Sequence, residues 1–220
     1  MTSASRYART ERAEDTREAI LTAAERLFAE RGIAAVSNRH IVEAAEQGNN
    51  AAVVYHFGNR ADLVLAIEHK HAAHIEELRR KKIAGTEGSA DLRDWVGCLV
   101  APYTAHLASL PKPSCYARFI AQVVTDPTYR EAVATSAMES ATLRRVVAEI
   151  NDRLPDLPSR ILAERNLMTR MMLHHTCAEY ERSFAEGRRT PRRSWSEASD
   201  GLIDVIVAVW QAPVTERPRR

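Results

Sequence analysis

Cysteine is scarce in this chain: Cys98, Cys115 and Cys177 are the only ones among 220 residues. An odd, widely spaced set excludes a disulfide framework. No apolar run exceeds Val205–Trp210, far short of a membrane span, and the first twelve residues hold no apolar stretch of a secretory signal. The expected setting is therefore soluble and cytoplasmic. Glycine is also sparse, at 8 residues, and no Gly-rich phosphate loop, zinc-protease helix motif or serine elbow is present. Nothing pairs a serine, a histidine and an aspartate, so no catalytic residue, cofactor or enzymatic activity is assigned. His71 and His74, like His174 and Cys177, are spaced three apart, but zinc needs three or four ligands and no compact Cys/His motif supplies them. A strong excess of one charge is missing too. Lys+Arg number 31 against 29 Asp+Glu, a net +2 that excludes a histone-like polycation.

What is abundant is alanine, at 35 residues, the best helix former. Apolar residues at 45% and charged residues at 27% describe an ordinary globular protein. Only four of the basic residues are Lys; the rest are Arg, whose planar fork suits phosphate and carboxylate. The fold class is all-α, with about nine helices. Residues 1–10 read as a flexible basic arm carrying Arg6 and Arg9. Residues 11–58 read as a three-helix unit, 59–82 as a connecting helix, 83–212 as a second helical domain and 213–220 as a disordered tail.

The first helix, 11–31, places Ile20, Ala24, Leu27 and Phe28 on one face and stops at Gly32. Ser37 offers an N-cap to a short second helix with Ile41, Val42 and Ala45 on its apolar face. Gln47-Gly48-Asn49 signals a turn, and a third short helix follows from about Asn50 to Phe57. Asn59 caps the fourth helix, whose apolar stripe reads Leu63, Ile67, His71, His74 and Leu78. Later helices are expected at about 91–108, 114–125, 128–151 and 159–187. The last begins at a Ser194-x-x-Glu197 capping box and runs to about Gln211.

Two short helices around a tight turn make a helix-turn-helix, whose second helix enters the DNA major groove. Asn49 and Asn50 stand at its start, where Asn pairs with adenine. Ala51, Ala52 and Val53 are small enough to let the backbone approach and touch a thymine methyl. Tyr55 and His56 offer hydrogen bonds to phosphate, and Arg60 adds a charge at the next helix start. Charge alone contributes little, since residues 1–82 hold 13 basic and 12 acidic side chains.

The run Tyr55-His56-Phe57-Gly58-Asn59-Arg60-Ala61-Asp62-Leu63, after Ser37-x-Arg39-x-Ile41 and Glu30-Arg31-Gly32, resembles the TetR family of transcriptional regulators over about residues 16–67. The resemblance implies an amino-terminal helix-turn-helix domain and a carboxy-terminal ligand-binding and dimerisation domain. It implies backbone contacts from Ser37, Tyr55 and His56, a phosphate contact from Arg60 and a base-reading position at Arg39. Two positions depart from the family pattern. Gln47 stands where Gly is usual, with Gly48 one place late, and Val54 stands where a phosphate-contacting Tyr is frequent. The candidate DNA-binding set is Ser37, Arg39, Asn49, Asn50, Ala51, Val54, Tyr55, His56 and Arg60.

For the second domain the expected occupant is an apolar or aromatic small-molecule effector. The candidate lining residues are Trp95, Cys98, Tyr103, Tyr116, Phe119, Met138, Met168, Met172 and His175, aromatics and soft side chains that shape interhelical pockets. The helix at 159–187 is apolar on two sides and the last helix on nearly all, so both need partners beyond one core. The resemblance implies a homodimer through these two helices and hence a palindromic operator on double-stranded DNA. The leading expectation is a repressor released by its effector. The alternatives are a ligand-independent DNA-binding or protein-interaction regulator, and an all-helical enzyme.

Overall fold

The computed structural model describes residues 3–215, the backbone alone for residues 3–10. Among the described residues every regular element is helical. The order is α1 Ser3–Arg31, α2 Asn38–Ala44, α3 Ala52–Phe57, α4 Arg60–Ala84, α5 Leu92–Ser109, α6 Tyr116–Val123, α7 Arg130–Ala137, α8 Ala141–Asp152, α9 Ser159–Ala185 and α10 Trp195–Gln211. The described residues form ten helices rather than about nine, because the stretch expected at 128–151 is two. No Gly or Pro marks the break. Ser140 makes it, by capping α8 through its bond from the Leu143 N–H while its hydroxyl and that of Thr142 donate to Glu76 of α4. A tertiary contact thus decides where the helix restarts.

The expected arm is corrected as well. Its backbone is helical from Ser3, in keeping with a segment rich in Ala, Arg and Glu and free of Gly and Pro until Gly32. Met1, Thr2 and residues 216–220, which include most of the expected tail, lie outside the described residues.

The amino-terminal unit packs as its pattern dictates. Ile20, Ala24, Leu27 and Phe28 of α1 meet Ile41 and Val42 of α2, Val53 and Phe57 of α3, and Leu63 and Ile67 of α4, all buried. Asn59 caps α4 by accepting from the Asp62 N–H at 2.9 Å. The buried row on α4 then departs from the expected stripe. It runs Leu63, Ile67, His71, Ile75, Arg79, Ile83, leaving His74 exposed and Leu78 half-buried. A strict i, i+4 row winds round the helix, as a ridge does when a helix crosses its neighbour obliquely.

The second domain is organised around α5, which packs on α4, α8 and α10, while α6 packs between α1 and α9. Phe28 of α1 stacks on Phe119 of α6 with ring centroids 6.2 Å apart, so the two domains share one core. Glu181 of α9, 2% exposed, accepts from the Ala117 and Arg118 N–H groups at 3.2 and 3.0 Å and pairs with the Arg118 guanidinium. A carboxylate there satisfies the orphan amides of the α6 N-terminus and opposes its dipole. Arg165 of α9 ties the α10 C-terminus down by donating to the carbonyls of Trp210 and Ala212. The Ser194 capping box is present in altered form: Ser194 accepts from Glu197 N–H, while Glu197 reaches past it to the Arg193 N–H.

Candidate nucleic-acid interface and effector cavity

The helix-turn-helix has an unusual turn. After α2 the Gln47 N–H bonds the Val42 carbonyl and the Glu46 N–H bonds that of Glu43, the two bonds of a Schellman motif. The left-handed residue this motif needs is Glu46, at φ 55°, and neither Gln47 nor Gly48. The departure at Gln47 is thus absorbed one residue earlier. The side chain of Gln47 donates to the Ala45 carbonyl and stays beside α1 near Thr16. Asn49 turns its Oδ1 onto the Ala51 N–H at 2.9 Å, which starts α3 at Ala52 rather than Asn50.

The outer surface of α2 and α3 gathers most of the expected residues. Ser37, Arg39, Asn49, Asn50, Ala51, Val54 and Tyr55 are all exposed. Tyr55 is 81% exposed and Val54 55%. Ser37 and His40 cap each other: the Ser37 Oγ accepts from His40 N–H and the His40 ring accepts from Ser37 N–H. His56 is half-buried edge-on to Tyr55, and burial together with Arg17 lowers its pKa. Arg39 is engaged, its Nε donating to Glu43 at 2.7 Å on the exposed face.

Arg60 differs from expectation. Its guanidinium turns inward, donating to Asn38 Oδ1 at 2.9 Å and lying 5.2 Å from the Phe28 ring centre, and burial lowers its pKa. In this geometry Arg60 clasps α2 to α4 rather than projecting toward solvent. Its motif position is legible in sequence; its rotamer is not.

A cavity of about 510 Å³ opens between α4, α5, α6, α7, α8 and α9. Tyr103 and Tyr116 line it, as expected; the other seven candidates do not. Trp95 is buried under the guanidinium groups of Arg145 and Arg153 and donates to the Ser89 carbonyl. Cys98 bonds Thr86, and Phe119 is spent on Phe28. Met172 packs into the core from its edge, Met138 and Met168 are largely exposed, and His175 points away where His174 points in. Large apolar side chains settle into the close-packed core first, so aromatic content is a poor guide to a cavity wall. The residues missed are mostly apolar, but they include the charged Glu68, Glu76 and Arg79 of α4, which all line it. Their signal was present, three ionisable side chains beside the apolar stripe of a helix that must bury both.

Between the cavity and α1 runs a chain of polar contacts, buried from Glu25 to His106 and exposed at His74. Glu25 of α1 meets His71 Nε2 at 3.0 Å, His71 Nδ1 meets His106 Nε2 at 2.8 Å, and His106 Nδ1 meets His74 Nδ1 at 2.9 Å. His71 stacks on the cavity residue Tyr116 at 3.8 Å. Burial and the two neighbouring imidazoles hold the His106 pKa down to about 4.

An exposed helix-turn-helix on a small three-helix unit, fused through one long helix to a larger helical domain, defines a DNA-binding transcription regulator. The chain belongs to the TetR family of bacterial regulatory proteins: the family's amino-terminal profile matches residues 20–67, and its tetracyclin repressor-like carboxy-terminal domain matches residues 97–208. These proteins are regulators, not enzymes. NalD of Pseudomonas aeruginosa, the secondary repressor of the MexAB-OprM multidrug efflux pump, shares the fold with a TM-score of 0.57 at 22% identity, over 90% of this chain and 97% of its own. A TetR-like transcriptional regulator from Rhodococcus sp. RHA1 gives 0.53 at 14% identity, over 88% and 94%. The regulator PfmR of Thermus thermophilus gives 0.50 at 17%, over 87% and 96%. No curated protein matches the chain significantly. Among the described residues no helix is long and apolar enough to cross a membrane.

Proposed function

We propose that this protein is a homodimeric, cytoplasmic repressor that binds a palindromic operator and releases it when a small molecule enters the cavity. The observation that carries the reading is the path from cavity to DNA unit. One helix, α4, supplies the cavity wall at Glu68, Glu76 and Arg79, and its cap sits one residue from the helix-turn-helix. Movement of α4 against α1 therefore reorients the DNA-reading surface. The Glu25–His71–His106 contacts hold α1, α4 and α5 in one arrangement, and an effector that prefers another arrangement weakens DNA binding by that difference in affinity.

Dimerisation is supported by an apolar surface with no partner in one chain. Leu167 and Met168 of α9 and Val205 of α10 are 50%, 45% and 51% exposed. Two-fold pairing of these helices buries them and places two α3 helices on one face of the DNA. Sedimentation of the wild type is expected to give a dimer, and the double variant Leu167→Glu/Val205→Glu a monomer.

The direct test is a footprint on DNA flanking the protein's own gene, at physiological salt. A protected palindrome is expected; its absence from every flanking segment and from selected random sequences counts against the reading. Glu43 supplies a sharper probe. It is an exposed carboxylate on the DNA-facing surface that occupies Arg39, so Glu43→Gln is expected to tighten binding several-fold and steepen its salt dependence. Unchanged affinity and slope would place Arg39 outside the interface.

A further inference from the structure

Two polar groups in the cavity wall are buried without a partner. Arg79 is 7% exposed and Tyr103 5%, and neither Arg79 Nε nor Tyr103 Oη has a hydrogen-bond partner. A third, Nδ1 of His174, is likewise buried and unpaired, and its ring stands edge-on to Tyr103 at 5.3 Å. Unmade hydrogen bonds of this kind are costly, above all for a cation, and mark a place where a ligand supplies the missing acceptor. Glu76 pairs with Arg79 only at long range: its Oε2 lies 3.7 Å from Arg79 Nη1, beyond hydrogen-bond reach, and already accepts from the hydroxyls of Ser140 and Thr142, so Arg79 Nε keeps no partner.

The rest of the wall sets the shape of the occupant. Glu68, Ala72, Ile75, Glu76 and Arg79 share one face of α4, and the eleven helical steps from Glu68 to Arg79 rise about 16 Å. Facing that line are Leu99, Ile120, Val124, Val133, Leu143 and Leu173. The cavity is long and mostly apolar, with the Arg79 guanidinium toward one end. Glu68 at the other end already has partners: its carboxyl accepts from Ser136 and lies 3.6 Å from His69 Nε2. The exposed charges around the mouth, Arg130 and Arg170 against Glu139, leave little net preference.

We infer that the effector is an elongated amphipathic monocarboxylate, its carboxylate held by Arg79 and Tyr103 and its apolar body laid along α4. This rests on reading the cavity as the effector site. It narrows the expectation of an apolar or aromatic effector by adding an acidic head that gives Arg79 Nε its acceptor.

The test is calorimetric titration of the full-length protein with octanoate, octylamine and octanol at neutral pH. Octanoate is expected to bind and the other two to bind at least about tenfold more weakly. Arg79→Met is expected to lose octanoate binding by a similar factor, Arg79→Lys to retain part of it, and Tyr103→Phe to weaken it less. Circular dichroism establishes whether Arg79→Met folds; if it does not, Arg79→Lys and Tyr103→Phe decide. Tighter binding of octylamine, binding of none of the three, or octanoate affinity unchanged in the folded variants overturns the assignment. Because DNA is not in the assay, a failed footprint with successful octanoate binding removes the regulatory reading and leaves the ligand class standing.

Discussion

Glu46 holds a left-handed conformation that glycine takes freely and other L-residues resist by about 1–2 kcal/mol. Glycine also loses more freedom on folding, which returns part of that gain. Glu46→Gly is therefore expected to stabilise the protein by about 0.5–1 kcal/mol, a rise of roughly 1–4 °C in melting temperature by calorimetry. A drop would mean that the Glu46 side chain makes a contribution its exposed position does not suggest. Sequence alone directs attention to Gln47 and Gly48, because they occupy the turn. Which residue turns left-handed depends on where α2 stops, and that is fixed by the Val42 and Glu43 carbonyls it offers to the turn. Arg60 teaches the same lesson: its place in the motif is readable, but Asn38 and Phe28 draw its guanidinium inward.

Among the elements, helix ends set by local chemistry were readable and helix ends set by contacts between helices were not. Gly32 at φ 83°, Asn59 and Ser194 end or begin helices as their residue types demand. The break at Ser140 and the N-terminus of α6 depend on carboxylates from other helices, Glu76 and Glu181. Glu181→Ala removes the acceptor of the Ala117 and Arg118 amides and of Arg118 Nε, while Arg118 Nη2 keeps the Ser114 carbonyl. It is expected to cost about 3–5 kcal/mol, the range for breaking a buried pair. Chemical denaturation reads this as a lower midpoint; a shift below about 1 kcal/mol would show that water replaces the carboxylate.

Across the whole molecule, buried imidazoles make stability depend on pH. His106 and His174 are both held to about 4, by burial first and then by neighbouring positive groups, whereas an unfolded histidine titrates near 6.5. Between those values the unfolded chain takes up protons that the folded chain excludes. The stability these groups allow is complete above about pH 6.5 and falls as pH drops toward about 4. Glu68, with its raised pKa, opposes this weakly from the other side. The melting temperature is expected to fall between about pH 7 and about pH 5, and less steeply in His106→Gln. A flat profile would mean that neither imidazole is shielded from protons.

The helical class, the two-domain plan and the helix-turn-helix with its exposed outer face are all written locally in the chain. Each follows from short-range rules: alanine content, caps, apolar spacing and a dense motif. The cavity is not written in this way. Its walls come from six helices, and whether a side chain lines a void or fills the core depends on the phase at which those helices cross. Trp95 and Phe119 went to the core, and Arg79 was left facing the void without a hydrogen-bond partner for its Nε. No spacing along one helix announces that outcome, because it is a property of how several helices meet.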